Sequence, residues 1–450
     1  MSEMFRKLSQ HPLLKNTFKL SSSNLVTFLA LFVFTPIISR IYTPEIYSGW
    51  GVFSNVTLIF NIIIFLSYQN AIVQTKDESE VTGLNVLCIS CALVVNLAVT
   101  AFFFIGTWLK VDFFVNFPSI GLLSVYFLLY AVYYLSIANA NRYALYGLMA
   151  TVTVVYGLSQ PLLRIGLGYL YLSDLSLIYA CLVSLLVSAV YYFVGLRKRG
   201  ISLFRDRISI SELIVLAKKY KKYPLYDAPA SVMDSLSVGL VIIILSMFFE
   251  KKDIGGLTMV MQLIILPTSL VGDALSQVFF RELSVAVGDN GYEKSIAIKS
   301  AKISFYLSCS AAAFFILGGD KIVQIFLGEK WDNTGPMVLC MSIFAFPTII
   351  SEALMSIFKV YNRQATRLKY VSVNLTIIIV SLTLGVLLFN NILYVLVLYA
   401  LGRAIVRFFQ LFEELKIVGL KFRAIHRHFT LIVVVLYLLL SVRIIVSMCG

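Results

Sequence analysis

Long apolar runs recur along the whole chain and restrict its fold more than any other feature of the sequence. Each run is about 20 residues long, the length that an α-helix needs to cross the hydrocarbon core of a bilayer. Of all residues, 59% are hydrophobic and only 13% are charged, whereas a soluble domain averages about 25% charged residues. The pattern predicts an all-α, polytopic membrane protein.

The apolar runs predict twelve core transmembrane helices and a further segment at the C-terminus. The first six are expected near residues 17–40, 48–74, 84–107, 118–141, 150–172 and 174–196. The second six are expected near residues 223–249, 255–281, 297–318, 335–360, 368–388 and 392–415. The last run, 429–448, contains Arg443, whose long side chain could snorkel to a membrane face. This thirteenth segment is therefore expected either to span the membrane or to lie at its surface.

Basic residues are unevenly distributed between the predicted loops, and this distribution sets the orientation. With a cytoplasmic N-terminus, most of the 37 lysine and arginine residues fall on the inner side, as the positive-inside rule requires. The net charge of +14 is then mainly a topology signal, and the scatter of the basic residues argues against a nucleic-acid partner. The lipid bilayer is the expected environment.

The longest polar stretch, 197–222, divides the predicted helices into two groups. Residues 208–222 place apolar and basic side chains on opposite faces of a helix, which predicts an amphipathic helix on the inner leaflet. The sequence thus predicts an N-lobe over 1–196 with helices 1–6, a cytoplasmic linker over 197–222, and a C-lobe over 223–416 with helices 7–12. Residues 417–450 form a basic segment and the additional C-terminal helix.

The two halves share a short repeat at equivalent positions. "RIYTPEIYSGWGVF" (40–53) connects the first two predicted helices, and "FFEKKDIGGLTMV" (248–260) connects the seventh and eighth. Each contains an acidic–apolar pair followed by small residues and the start of the next helix. A parallel internal repeat with a cavity between the halves is typical of transporters.

Five stretches, in order along the chain, resemble one branch of a transporter superfamily. They are "RIYTPEIYSGWGVF" (40–53), "YQNAIVQ" (68–74), "YPLYDAPASVMDSLS" (223–237), "LPTSLVGDALSQVFFRELS" (266–284) and "FLGEKWDNTGPMV" (326–338). Together they resemble the polysaccharide-export branch, the O-antigen and capsule repeat-unit flippases, of the multidrug/oligosaccharidyl-lipid/polysaccharide (MOP) superfamily. The resemblance extends over about residues 10–420.

The resemblance implies a V-shaped bundle of two six-helix lobes and a specific cargo. It implies movement of an undecaprenyl-diphosphate-linked oligosaccharide repeat unit from the cytoplasmic to the periplasmic leaflet of a bacterial inner membrane. The pathway would be O-antigen or capsule assembly, with the polysaccharide polymerase and the chain-length regulator as further partners. Alternating access between the lobes is the expected mechanism.

Sequence motifs for catalysis and nucleotide binding are missing. The chain contains no phosphate-binding G-x-x-x-x-G-K-[ST], no nucleophile elbow and no histidine-rich metal motif. We therefore expect no enzyme activity, no metal and no cofactor. Transport would be driven by a proton or sodium gradient, or by consumption of the cargo on the far side.

Ionisable residues at membrane depth are the candidate site residues. The cations Arg164, Arg142 and Lys19 would bind the diphosphate, because a guanidinium matches phosphate oxygens bidentately. The carboxylates Asp234, Asp273 and Glu352 would bind the coupling ion. The alternative for each is a static ion pair that fastens helices together.

Aromatic and amide side chains of the fourth predicted helix are the candidates for contacting sugar. Tyr130 belongs to a stripe with Tyr126, Tyr133 and Tyr134, and aromatic rings can stack on sugar rings. Asn139 and Asn141 could hydrogen-bond sugar hydroxyls. Packing between helices is the alternative explanation for the stripe.

Two competing functions remain open from the sequence. A drug or cation antiporter of the same superfamily would need an acidic, aromatic cavity, whereas Arg164 favours an anionic cargo. A membrane polysaccharide polymerase would need a sizeable outer loop with catalytic residues, and the longest predicted outer loop, 319–334, is short.

Overall fold

Helices joined by short turns make up the computed structural model of the chain. The backbone is described for residues 12–75, 77–204, 208–286, 290–361 and 363–449. Side chains are described within these ranges except at residues 12–21, 230, 265–271, 273, 274, 277, 278, 280, 281, 284–286, 290, 359, 364, 448 and 449. All regular structure in the described ranges is helical, so the predicted all-α class is confirmed.

Fourteen helices of ten or more residues are found in the described ranges. The first seven are α1 (Pro12–Ile41), α2 (Pro44–Ile63), α3 (Glu78–Trp108), α4 (Ile120–Arg142), α5 (Tyr146–Leu170), α6 (Asp174–Arg197) and α7 (Ile210–Lys219). The next seven are α8 (Ala228–Leu245), α9 (Lys251–Ala286), α10 (Asn290–Phe314), α11 (Thr334–Leu354), α12 (Gln364–Leu388), α13 (Ile392–Ile417) and α14 (Phe429–Cys449). Shorter helices lie at Gln69–Gln74, Asp112–Val115, Asp320–Leu327, Ser356–Val360 and Phe422–Ile425.

Twelve helical segments of the described residues are long and apolar enough to cross a membrane. They include Phe429–Ser447, within the C-terminal helix α14, but not α9, several of whose side chains lie outside the described residues. α14 packs against α11, where the Tyr437 hydroxyl donates to the carbonyl of Ile343 at 2.6 Å. Arg443 forms an ion pair with Asp320 at 3.1 Å. The protein itself therefore supplies the counter-charge for the arginine, and snorkelling is not required.

The second apolar run does not form one continuous helix. α2 ends at Ile63, and a turn separates it from the short helix Gln69–Gln74. In that turn Leu66 and Ser67 have φ angles of 49° and 63°, a left-handed conformation that is uncommon for residues other than glycine. The prediction of a single helix over 48–74 is therefore wrong in its second half. No glycine or proline in residues 64–68 marks the break.

The chain divides into two compact units. The first contains the described residues up to Tyr42 together with Gly49–Gly239, and the second contains Thr43–Ser48 and the described residues from Leu240 onward. The N-terminal part of α8 thus belongs with the first unit, although the sequence predicted that the second lobe begins at residue 223.

The linker helix α7 is attached to the first unit. Its N-terminus carries a capping box, in which the Ser209 and Glu212 side chains bond reciprocally to backbone amides. Leu216 is buried against Gly83 of α3, and the Tyr68 hydroxyl donates to the carbonyl of Ala217 at 3.2 Å. A second apolar group on α7 stays exposed, as an interfacial helix requires: Ile210, Ile214 and Val215.

The first unit is packed around a pair of helices, and the second unit is packed around one central helix. In the first unit α1 runs along α5 at close range, since a side chain at Gly157 would overlap Thr27 and one at Gly168 would overlap Tyr42. In the second unit α11 is enclosed by other helices: 94% of the residues in its most apolar segment are buried. It packs against α9, α10, α13 and α14. A helix that is apolar on all sides is expected to be enclosed in this way.

Candidate functional site

Arg164 lies in the interior of the first unit, on α5. Its side chain is only 2% exposed, and the centre of its guanidinium lies 4.4 Å from the centroid of the Trp50 ring. At that distance the cation is attracted to the electron-rich face of the indole. Trp50 comes from α2, within the "RIYTPEIYSGWGVF" stretch (40–53) that the sequence singled out.

Polar groups fix the backbone of α5 beside this arginine. The Tyr42 hydroxyl donates to the carbonyl of Arg164 at 2.7 Å and shares a hydrogen bond of 2.9 Å with the Ser176 hydroxyl. Pro161 lies one turn earlier in the same helix and removes a backbone donor there. The hydroxyl groups thus fix the backbone of α5 at Arg164, while its guanidinium lies on the Trp50 ring.

The tyrosine stripe on α4 forms a ladder of stacked rings. Tyr126 and Tyr130 stack at 5.8 Å, Tyr130 and Tyr134 at 5.4 Å, and Tyr134 stacks on Phe65 at 5.8 Å. The Tyr126 hydroxyl accepts a hydrogen bond from Asn61 at 2.9 Å. Tyr130 is half-buried between its neighbours, so the ladder packs α4 against the turn that follows α2.

The two asparagines near the end of α4 occupy different environments. Asn139 is buried, and its amide nitrogen donates to Asn85 and to the carbonyl of Leu135, both at 2.9 Å. Asn85 in turn donates to the carbonyl of Leu203 at 2.9 Å. Asn139 therefore links α3, α4 and the start of the linker, whereas Asn141 is exposed.

Arg142 makes contacts that tie together loops of the first unit. It donates to the carbonyls of Ile72 and Thr75, at 2.8 and 2.5 Å, and pairs with Glu78 at 2.9 Å. The Tyr143 hydroxyl also donates to Glu78, at 2.8 Å. Burial raises the pKa of Tyr143, and the hydrogen bond to Glu78 adds to the effect. The structure thus places Arg142 in a network with Glu78 and with the carbonyls of Ile72 and Thr75.

The remaining candidates of the sequence analysis are placed as follows. Asp234 lies on α8 in the first unit and its side chain is exposed. The side chains of Lys19 on α1 and Asp273 on α9 lie outside the described residues. Among the described side chains, no group of three or more His, Cys, Asp or Glu is arranged to hold a metal ion.

Glu352 belongs to a polar stripe in the second unit that sequence reasoning missed. Glu352 of α11 pairs with Arg407 of α13 at 2.7 Å. Arg407 donates to Gln410 at 2.9 Å, and Gln410 donates to Glu414 at 2.8 Å. The sequence signal was the spacing of Arg403, Arg407, Gln410 and Glu414, which places all four on one face of a helix.

Arg403, at the start of this stripe, is a second buried cation on an aromatic ring. Its guanidinium lies 4.4 Å from the Phe344 centroid, and it donates to the Tyr399 hydroxyl at 2.7 Å. Arg403 stands near the middle of α13, within the span predicted near 392–415, and the structure buries it against α11.

Known structures share this fold. A multidrug resistance MATE family transporter of the MOP superfamily, in an inward-facing conformation, is similar with a TM-score of 0.71 at 13% identity, over 89% of this chain and 98% of that one. The lipid II flippase MurJ, in an inward closed conformation, is similar with a TM-score of 0.71 at 11% identity, over 96% of each chain. The predicted MOP-type fold is confirmed.

Sequence comparison identifies the family. No curated protein matches the chain by sequence. The family model described as "Polysaccharide biosynthesis protein" matches residues 37–336, which is two thirds of the chain and includes Trp50, Arg164 and the linker helix α7. The chain therefore belongs to the polysaccharide biosynthesis protein family and has the fold of the MOP transporters.

Proposed function

We propose that the protein is a flippase for an undecaprenyl-diphosphate-linked oligosaccharide repeat unit of O-antigen or capsule. It would move this lipid from the cytoplasmic to the periplasmic leaflet of a bacterial inner membrane by alternating access. Membership of a polysaccharide biosynthesis family supports a sugar as the cargo. The similarity of the fold to that of a lipid II flippase supports a cargo in which the sugar is linked to a lipid.

The observation that carries the proposal is the buried Arg164 on the Trp50 ring. A lipid diphosphate needs a cation within the membrane, and a guanidinium donates to phosphate oxygens in its own plane while an aromatic ring covers its face. Because Arg164 is 2% exposed, the diphosphate can reach it only in a conformation that opens this part of the first unit. Alternating access supplies such a conformation.

The same proposal extends to the energy source and to the partners. We propose coupling to a proton or sodium gradient, since the sequence contains no nucleotide-binding motif. The polysaccharide polymerase and the chain-length regulator would act on the cargo after it reaches the outer leaflet. Tyr130, Asn141 and Asp234 remain candidates for contacts with the sugar or the ion.

The test is deletion of the gene, followed by mapping of lipid-linked sugars by membrane leaflet. We expect single repeat units to accumulate on the cytoplasmic leaflet and surface polymer to disappear. Single units that reach the outer leaflet but are not polymerised would contradict the proposal and indicate a polymerase.

A drug or cation antiporter is the second candidate. It is favoured by the fold shared with a multidrug transporter and by the aromatic ladder of Phe65, Tyr126, Tyr130 and Tyr134, since such rings can bind organic cations. Unchanged polysaccharide together with new sensitivity to cationic drugs in the deletion strain would support this function instead.

A further inference from the structure

Glu414 is the one buried carboxyl in the polar stripe of α13 that lacks a cation of its own. Its side chain is fully buried, at 0% exposure. The carboxyl oxygen Oε1 accepts a hydrogen bond from the neutral amide of Gln410 at 2.8 Å. No described residue donates to the other oxygen, Oε2, which is itself shielded from solvent.

The nearby cations do not balance the charge that an ionised Glu414 would add to that of Glu352. Arg407 is the guanidinium that acts on Glu414, and Glu352 already pairs with it at 2.7 Å. Arg403 precedes Glu414 by eleven residues along α13, about 16 Å, and lies against aromatic rings. If both Glu352 and Glu414 were ionised, two carboxylates would therefore share one arginine.

Among the described side chains, the charged groups that act on Glu414 are Glu352 and Arg407, although α12 also carries Arg367. From α11 the charged group is Glu352, and from α12 the titratable group near Glu414 is Tyr370. Glu413, on α13 itself, lies 3.8 Å from Lys416. The short helix Ser356–Val360 also packs on α13, and its Lys359 side chain lies outside the described residues.

A buried carboxyl in such a setting is most stable as the neutral acid. Desolvation disfavours the carboxylate, and a neighbouring carboxylate disfavours it further. With the proton on Oε2, Oε1 can still accept the hydrogen bond from Gln410. The network of Glu352, Arg407, Gln410 and Glu414 then has no net charge.

We propose that Glu414 is a proton-binding site and that its protonation controls the Glu352–Arg407 ion pair. When the proton leaves Oε2 for water, the new carboxylate competes with Glu352 for Arg407. Gln410 connects the two positions, because it accepts from Arg407 and donates to Glu414. Loss of one proton therefore changes the contact between α11 and α13.

The use of this proton in coupling rests on the proposed transport function, but the protonation itself does not. The first experiment is therefore infrared spectroscopy of the purified full-length protein at neutral pH, which detects the carbonyl stretch of a protonated carboxyl. We expect wild type and Glu413→Gln to contain a band that Glu414→Gln lacks. Glu413 is the matched control, since it is the adjacent residue and stands outside the network. Identical spectra for wild type and Glu414→Gln, both folded, would overturn the proposal.

The second experiment measures transport of a labelled undecaprenyl-diphosphate sugar in proteoliposomes with an imposed pH gradient. We expect the gradient to accelerate transport by wild type and by Glu413→Gln, and this acceleration to be lost in Glu414→Gln. Acceleration retained in Glu414→Gln would overturn its role in coupling. A wild-type protein that has the infrared band but moves no lipid-linked sugar would contradict the proposed function and leave the proton site standing.

Discussion

Two arginines are buried against aromatic rings, where a membrane protein would be expected to avoid charge. Arg164 lies on Trp50 in the first unit and Arg403 on Phe344 in the second, each at 4.4 Å from the ring centroid. Burying a guanidinium is costly unless other groups compensate it. A cation–π contact offsets part of that cost, about 2 kcal/mol when desolvated. Ionisable residues at such depth are candidates for function.

Replacement of Arg164 tests its proposed contact with the diphosphate. We expect Arg164→Ala to lower transport of the lipid-linked sugar by tens to a hundredfold, because a hydrogen bond to a charged group contributes about 1.5–3 kcal/mol. Arg164→Lys keeps the charge but loses the planar donors, so we expect partial activity. The measurement is surface polysaccharide in a deletion strain that expresses each variant.

The matched control for Arg164 is Arg197. Its guanidinium also lies over an aromatic ring, Phe193, at 4.7 Å, but the residue is exposed at the end of α6. We expect Arg197→Ala to leave polysaccharide unchanged. Normal polysaccharide in Arg164→Ala, with the protein present in the membrane at wild-type amount, would remove Arg164 from the site.

The linker helix α7 is held on the first unit by one close contact and a set of hydrogen bonds. A Cβ atom at Gly83 would lie 2.4 Å from the Leu216 side chain, so this glycine gives α7 its close approach to α3. Glu80 accepts hydrogen bonds from Lys219 and from Tyr220. The hydrogen bond with Glu80 raises the pKa of Lys219.

Substitution of Gly83 tests whether this contact positions the linker. We expect Gly83→Ala to displace α7 and to increase cleavage by trypsin after Lys218 and Lys219, measured on the purified protein. The double variant Gly83→Ala with Leu216→Ala should recover resistance, because the shorter side chain makes room for the added methyl group. Unchanged cleavage in the single variant would contradict this account of the packing.

The C-terminal helix α14 determines on which side of the membrane the chain ends. Its Arg443 pairs with Asp320, which follows α10 and is 5% exposed. The twelve candidate spans and α9, which the sequence predicts as a further span near 255–281, would make thirteen crossings, an odd number. The sequence places the segment after α10 on the outer face, and the ion pair brings the end of α14 to that same face.

A C-terminal reporter tests this topology. With a cytoplasmic N-terminus, thirteen crossings place the C-terminus in the periplasm. We therefore expect alkaline phosphatase fused after Gly450 to be active, and green fluorescent protein at the same position to be dark. A fusion after Lys421, before α14, is the control and should give the opposite pair of signals. Fluorescence at both positions would contradict a spanning α14.

The lengths of the apolar runs predicted the helical fold of the protein, but the sequence did not predict most of its polar contacts. The spans were predictable because bilayer thickness fixes helix length. The break at Leu66 and Ser67 was not predictable, since residues 64–68 contain no glycine or proline that would signal it. Glu352 and Asn139 bind side chains of other helices. The periodicity within one helix does not specify which helices pack next to it, so these partners could not be predicted.

The energy source of the proposed transport can be tested on the intact protein in membranes. The sequence contains no nucleotide-binding motif, and we propose that net transport follows an ion gradient or consumption of the cargo. In inverted membrane vesicles that lack the polymerase, we expect a protonophore to stop transport of the labelled lipid-linked sugar if protons are the coupling ion. Depletion of ATP with the gradient held constant should have no effect. A sodium ionophore is the control for the other ion, and loss of transport on ATP depletion alone would contradict a gradient-driven flippase.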